Sequence, residues 1–239
     1  MSRYVVTAGW NDAPHLTEEA KADLLRAIPL HEREARMNGT PTLGSGKVYE
    51  IAEDDFVVDP FEIPKFWFKS YGLDVGWNRS ACMWAAHNRE TDVVYFYDEH
   101  YGAEQAPELH AVAIKARGEW IPGVIDPAAR GRSQIDGQRL IDLYTDAGLR
   151  LDPADNSVES GIYEVRQRLL SGRLQVFRTC ANWLKEYRLY RRDDKGKIVK
   201  KFDHAQDAGR YAIMSGLSVA KQMPLHRGPY RPGARTFTG

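Results

Sequence analysis

Two rhythms of hydrophobic and polar positions run along this chain. Apolar, β-branched and aromatic runs with a two-residue period predict strands over residues 48–51, 65–74, 80–87, 93–101, 121–126, 149–151 and 174–177. Phe66-Trp67-Phe68 and Tyr95-Phe96-Tyr97 are the aromatic stock such strands favour. Three- and four-residue spacing predicts helices elsewhere. One opens after Thr17, a residue suited to an N-cap, and carries Leu24, Leu25 and Ile28. Others span 107–118, with Pro107 in the first turn and Gly118 at the end, and 134–147, through Ile135, Leu140, Ile141 and Tyr144 up to Gly148. Further helices are expected over 158–170, 179–187 and 204–217, the last with Ala208, Tyr211, Ala212 and Met214 on its apolar side. Tyr4-Val5-Val6 is a short strand-like run, and residues 188–200 form a hairpin pattern turning at Asp194-Lys195-Gly196. Three strands, a helix, a strand and a helix in that order predict an α/β fold, a mixed sheet flanked by helices.

Segment boundaries follow from the breakers. Gly39, Pro41, Gly44 and Gly46 separate residues 1–48 from a body spanning 49–221. Residues 222–239, rich in Pro, Gly and Arg, read as a disordered tail. At 239 residues and 43% hydrophobic the chain can bury a substantial core. Lys+Arg and Asp+Glu balance at 33 each, which argues against a generally basic DNA-coating protein but leaves room for a local basic groove. The two cysteines, Cys82 and Cys180, fit neither a disulfide framework nor a zinc spacing, and Cys82 reads as a small core residue. The N-terminal residues lack the apolar region of a signal peptide, and no window approaches ~18 unbroken apolar residues, so no membrane span is expected.

The candidate chemistry is acidic. Asp74 and Asp126 each end an apolar run, as residues at strand tips do, and in such sheets sites collect beyond strand carboxyl ends. Asp203 and Asp207 stand four apart, so a helix aims both carboxylates the same way. Bunched acids repel unless a cation sits between them, and hard oxygens suit Mg²⁺ or Mn²⁺. Two such ions clamp the attacking and leaving oxygens of a phosphodiester displacement, the arrangement of a metal-dependent nuclease. Repulsion alone predicts that removing any of these acids holds or raises stability. Each acid also has an ordinary reading: Asp74 and Asp126 as turn residues, and Asp207 as a solvated helix residue or a partner of Arg210 or Arg130. Asp98 and Glu99 end another strand and are candidates for reaching the site through water. Arg188, Arg191, Arg192, Lys195, Lys197, Lys200 and Lys201 crowd the hairpin, a candidate DNA-binding patch or else a solvated face. Arg130 and Arg132 follow Asp126 and are candidates to hold the scissile strand. Trp77 and Trp84 are more readily core than stacking platforms.

In combination, SYGLDVGWNRSACMWAA (70–86), VIDPAARGRS (124–133) and FDHAQDAGRYA (202–212) resemble the nuclease domain of the large terminase subunit of tailed phages. GWNDAPHLTEEAK and HEREARMNGTPTLGSGKVYE resemble the segment that joins the terminase ATPase to its nuclease, so residues 1–48 become that linker. The resemblance implies a ribonuclease H-like fold related to junction resolvases. It also implies an endonuclease that cuts concatemeric double-stranded DNA during genome packaging in the host cytoplasm, using two Mg²⁺ or Mn²⁺ ions. The family's first-strand acid falls on Asp74, its mid-domain acid on Asp126 and its last-helix acid on Asp207. Asp203 and His204 lie beside that last position as further metal ligands, and related nucleases place a His and an Asp three apart on this helix. The implied partners are DNA, an upstream ATPase domain, the portal protein and the small terminase subunit. The chain reads as the nuclease part separated from that ATPase. Gly44-Ser45-Gly46-Lys47-Val48 looks like the end of a phosphate-binding loop. Pro41 replaces its first Gly and Val48 its Ser/Thr, so no nucleotide binding is expected. Rival readings are a resolvase or ribonuclease H acting on structured substrates, and a non-catalytic module that docks DNA on a portal.

Overall fold

The structure, a computed structural model, describes residues 9–13, 15–27, 37, 46–76, 78–130, 139–193 and 195–224. Its strands are β1 (Val57–Val58), β2 (Phe68–Asp74), β3 (Ser80–Asn88), β4 (Val93–Gly102), β5 (Gly123–Ile125), β6 (Leu151–Pro153) and β7 (Leu174–Phe177). They form one seven-stranded sheet in the order β1-β7-β4-β3-β2-β5-β6. β2, β3 and β4 run antiparallel, and β5 joins β2 parallel, with β6 parallel beyond it. The helices are α1 (Glu18–Ala27), α2 (Pro107–Lys115), α3 (Leu140–Asp146), α4 (Val158–Leu170), α5 (Ala181–Leu189), α6 (His204–Tyr211) and the short α7 (Leu217–Val219).

The two-residue period sorts the core into two faces. Ala81, Met83 and Ala85 of β3 join Ile162, Val165, Trp183, Tyr187, Ala205 and Ala208 on one side. Cys82 and Trp84, with Tyr71 and Leu73 of β2, join Ala111, Ile114 and Tyr144 on the other. By the same alternation Gly72 and Asp74 face the side that α6 covers. Glycine is required there: a Cβ at Gly72 would overlap the Ala208 carbonyl oxygen and stand 2.6 Å from the Ala212 backbone nitrogen. The close approach of α6 to β2 thus sets the distance between the acids each carries.

Several expectations shift. Residues 48–51 form no strand; Val48 and Tyr49 are buried against the α5 end of the fold, with Val48 N donating to Tyr190 O and Tyr49 stacked on Tyr187. That apolar run serves packing rather than a sheet ladder. Lys47 pairs instead with Arg191 of the hairpin. The short β1 beside β7 was not expected from two valines. The last helix is broken after Tyr211 by a π-turn over Ala212–Gly216, directly after the close approach to Gly72. The expected hairpin is present as an Arg192–Ile198 bridge. Thr17 caps α1, its Oγ1 accepting from Ala20 N at 3.2 Å. Residues 4–6, 134–138 and Trp77 lie outside the described residues. Among the described residues no helix is long and apolar enough to cross a membrane.

Candidate active site

Asp74 ends β2, and its carboxylate is nearly enclosed. Asp126 follows β5, and its N–H donates to Leu73 O at 3.0 Å, so the parallel pairing sets the two acids side by side. Asp126 Oδ1 accepts from Ala128 N, which starts a 3-10 turn over Pro127–Arg130. Asp203 is the N-cap residue of α6, and Asp207 stands one turn further on. The ring of His204, at the head of that helix, places Nδ1 2.8 Å from Asp74 Oδ2. Helix and sheet are therefore joined across the site by a carboxylate–imidazole contact.

The acids repel one another and are compensated by cations of the chain. Burial raises the Asp74 carboxyl, the His204 hydrogen bond opposes this, and the charges of Asp207 and Asp126 raise it again. Asp126 and Asp207 are thus near enough to Asp74 for their charges to be felt there. The hydrogen bond to Asp74 raises His204 in turn, against its own burial. Asp207 is held from both sides. Arg210 Nη2 lies 3.0 Å from its Oδ1 and Lys200 Nζ 3.1 Å from its Oδ2. Lys200 also reaches Asp203 Oδ2 at 3.2 Å. Arg210 is buried and anchored on Asn156, which also accepts from the Tyr211 hydroxyl.

Among the described residues no three His, Cys, Asp or Glu side chains close into a metal-ligand cluster. The donor set nevertheless fits a hard divalent cation: clustered carboxylate oxygens, with the ammonium of Lys200 already bridging two of them as a stand-in positive charge.

The position of α6 is fixed from behind by a buried acid, Glu186, that sequence reasoning missed. Glu186, on α5, accepts from Ala205 N at 2.6 Å and Gln206 N at 3.3 Å, which are N–H groups of the first turn of α6. It also accepts from the Tyr101 hydroxyl of β4. Glu99 of β4 caps α5 in the same way, taking Asn182 N and Trp183 N. Glu99 and Asp98 therefore do not turn to the acids, since Asp98 pairs with Arg117 at 3.0 Å. Only their distance in sequence hid these caps; no local motif marks a carboxylate that caps a helix from another element.

The basic hairpin divides. Arg188 grips Glu53 with two bonds of 2.6 Å, and Arg192 holds Glu159 and the Gly196 carbonyl. Arg191, Lys195 and Lys197 are exposed and have no carboxylate partner among the described residues. Arg130 closes the 3-10 turn that follows Asp126. Its side chain, like the whole of Arg132, lies outside the described residues. Trp84 is wholly buried in the core.

Three central antiparallel strands extended by parallel ones, with acids at the tips of β2 and β5 and on α6, define a ribonuclease H-like nuclease fold. The terminase RNaseH-like domain family matches residues 72–215, and the chain belongs to it. It is 36% identical to the large terminase subunit of Salmonella phage P22 over 223 residues, 89% of this chain and 44% of that protein. It is equally 36% identical to that of Enterobacteria phage LP7, covering 90% of this chain and 47% of the relative. The chain thus spans about half the length of the curated relatives it matches. The solved nuclease domain of the P22 large terminase superposes with a TM-score of 0.70 at 35% identity, covering 76% of this chain and 97% of that one. The large terminase of a thermophilic bacteriophage shares the fold at 21% identity and a TM-score of 0.63, over 87% of this chain and 55% of that one.

Proposed function

We propose that this chain is the nuclease of a phage large terminase, a metal-dependent endonuclease that cuts concatemeric double-stranded DNA in the host cytoplasm as genomes are packaged. The observation that carries the reading is the approach of Asp74, Asp126 and Asp207 from two strand tips and one helix: Asp126 N bonds Leu73 O beside Asp74, and His204, on the helix that bears Asp207, contacts Asp74 Oδ2. Family membership supports the terminase assignment. The relatives are large terminase subunits of which this chain spans about half, which supports a longer protein; an ATPase domain preceding this one, and the portal protein and small subunit as partners, belong to the proposal.

Asp74, Asp126 and Asp207 would hold Mg²⁺ or Mn²⁺, with Asp203 and His204 beside them. When bound, two such ions would neutralise phosphate charge and make water a better nucleophile at neutral pH. The protein's own groups do the rest. Arg210 locks Asp207 in orientation from the buried side. His204 Nδ1, 2.8 Å from Asp74 Oδ2, would fix that carboxylate with its proton on Nδ1. Arg191, Lys195 and Lys197 hold phosphates of the duplex by charge alone, which gives binding without sequence preference.

The test is conversion of supercoiled plasmid with Mg²⁺, Mn²⁺, Ca²⁺ or EDTA, for the wild type and for Asp74→Asn, Asp126→Asn and Asp207→Asn. Cutting with Mg²⁺ and Mn²⁺, poor cutting with Ca²⁺ and none in the three variants is expected. Robust cutting in EDTA ends the metal reading. Preference for branched or hybrid substrates over linear duplex favours the resolvase or ribonuclease H alternative.

A further inference from the structure

Lys200 occupies an unusual place among the cations of the site. We propose that Lys200 is a tethered competitor of the metal. Its ammonium holds the ligand oxygens of Asp203 and Asp207 until a divalent ion displaces it, and is then free to take a DNA phosphate. The inference rests on the reading of these acids as metal ligands.

Three observations carry it. Lys200 Nζ spans both acids at once, 3.2 Å from Asp203 Oδ2 and 3.1 Å from Asp207 Oδ2. Both carboxylates are buried, whereas the lysine side chain is 64% exposed and reaches in from solvent. It can therefore leave without opening the core. Arg210, the other cation on Asp207, is only 1% exposed and bound to Asn156, so it cannot. Asp207 thus has one permanent cation on Oδ1 and one removable cation on Oδ2.

The backbone suits such a movement. Lys200 lies in the connection between the Arg192–Ile198 bridge and α6, outside any helix or strand. Between it and Asp203 stands Phe202, a non-glycine residue with φ of 59° and an exposed ring. Such conformations persist where surrounding contacts hold them, and the lysine bridge is a contact across this bend. Val199 N donates to Arg191 O at 3.0 Å, so a released Lys200 stays next to the strand pair that carries the exposed Arg191. DNA and metal then help each other, because a phosphate that draws the ammonium away vacates the oxygens the metal needs. By linkage the effect is reciprocal.

The experiment is Mn²⁺ titration of the protein without DNA, followed by electron paramagnetic resonance. It compares wild type with Lys200→Met, Lys201→Met and Asp207→Asn, each checked for an intact thermal transition. Loss of the competing ammonium should lower the Mn²⁺ Kd of Lys200→Met by about 2- to 5-fold, the upper range of an exposed ion pair. Lys201→Met, an equal change of charge one residue along, should leave Kd as in wild type. Adding a short DNA duplex in the cold, where cutting is slow, should tighten Mn²⁺ binding in wild type and do so less in Lys200→Met. Equal or weaker Mn²⁺ binding by Lys200→Met, while Asp207→Asn loses it, overturns the competitor role alone. Unchanged binding by Asp207→Asn overturns the metal reading itself, and the inference with it.

Discussion

Gly72→Ala tests whether the approach of α6 to β2 sets the site. The added Cβ would overlap the Ala208 carbonyl and stand 2.6 Å from the Ala212 nitrogen. Both obstacles are backbone, so no rotamer change relieves them. Ordinary contact begins near ~3.4 Å, so α6 must retreat by about 1 Å. Overpacking of that kind costs about 1–3 kcal/mol, which in a chain of this size lowers Tm by roughly 2–12 °C. The functional loss should exceed the stability loss. His204 and Asp207 ride on α6 while Asp74 stays on β2, and a misplacement of ~1 Å costs about 100-fold in rate. Circular dichroism at 25 °C should show a folded protein, a thermal melt the lowered Tm, and a plasmid assay at the same temperature the deeper fall in cutting. A variant with unchanged Tm and unchanged cutting would refute the idea that this glycine fixes the geometry.

Other outcomes follow from the same contacts. Glu186→Ala should lose about 2–3 kcal/mol, because a buried charged acceptor of three donors disappears, and Glu186→Gln should lose less; equal melting of wild type and the alanine variant would dismiss the cap. Changing Arg191, Lys195 and Lys197 together to Ala should weaken duplex binding and flatten log affinity against log salt by at most ~0.9 for each phosphate no longer neutralised, with Mn²⁺ affinity unaltered; an unchanged slope moves the groove toward Arg130 and Arg132. Burial, then the charges of His110 and Arg117, push His100 down to about 4 from 6.5. Between these values the unfolded chain binds a proton that the folded one refuses. Stability is therefore complete above pH 6.5 and falls as pH drops toward 4, by roughly 1–2 kcal/mol after allowance for the ring's partial exposure. His100→Gln should remove that acid-side loss in urea melts, and identical pH profiles for the two proteins would sink the assignment.

Strand tips were legible because an apolar run that stops on an acid has a physical meaning: the buried strand ends where a charge must meet solvent or a cation. Asp74 and Asp126 could be placed that way, and the i, i+4 spacing of Asp203 and Asp207 gave their common face. The neutralising network could not be read in the same manner. Glu99 and Glu186 cap helices more than eighty and nearly twenty residues away, and nothing in their neighbourhoods distinguishes a cap from a solvated glutamate. Arg210 was one of two candidate partners for Asp207, and only packing shows that it is buried. That burial reverses one expectation. Repulsion among the acids predicts that Asp207→Ala holds or raises stability. Because Arg210 would be left buried without its carboxylate, the substitution should instead cost several kcal/mol, about 3–5 for a broken buried pair. The basic hairpin was visible as a charge run. Its division into Arg188 and Arg192, bound to glutamates, and three cations facing solvent needed Glu53 and Glu159 brought close.

If Asp74, Asp126 and Asp207 gather to hold divalent ions for DNA cutting, the ions can be located directly. The most direct measurement is an anomalous difference map from crystals soaked in Mn²⁺, collected near the manganese absorption edge. A peak is expected in contact with Asp74 and with a carboxylate oxygen of Asp126 or Asp207, with Lys200 turned away. Bound manganese elsewhere, with none at these acids in a protein that cuts DNA in the same buffer, would contradict it.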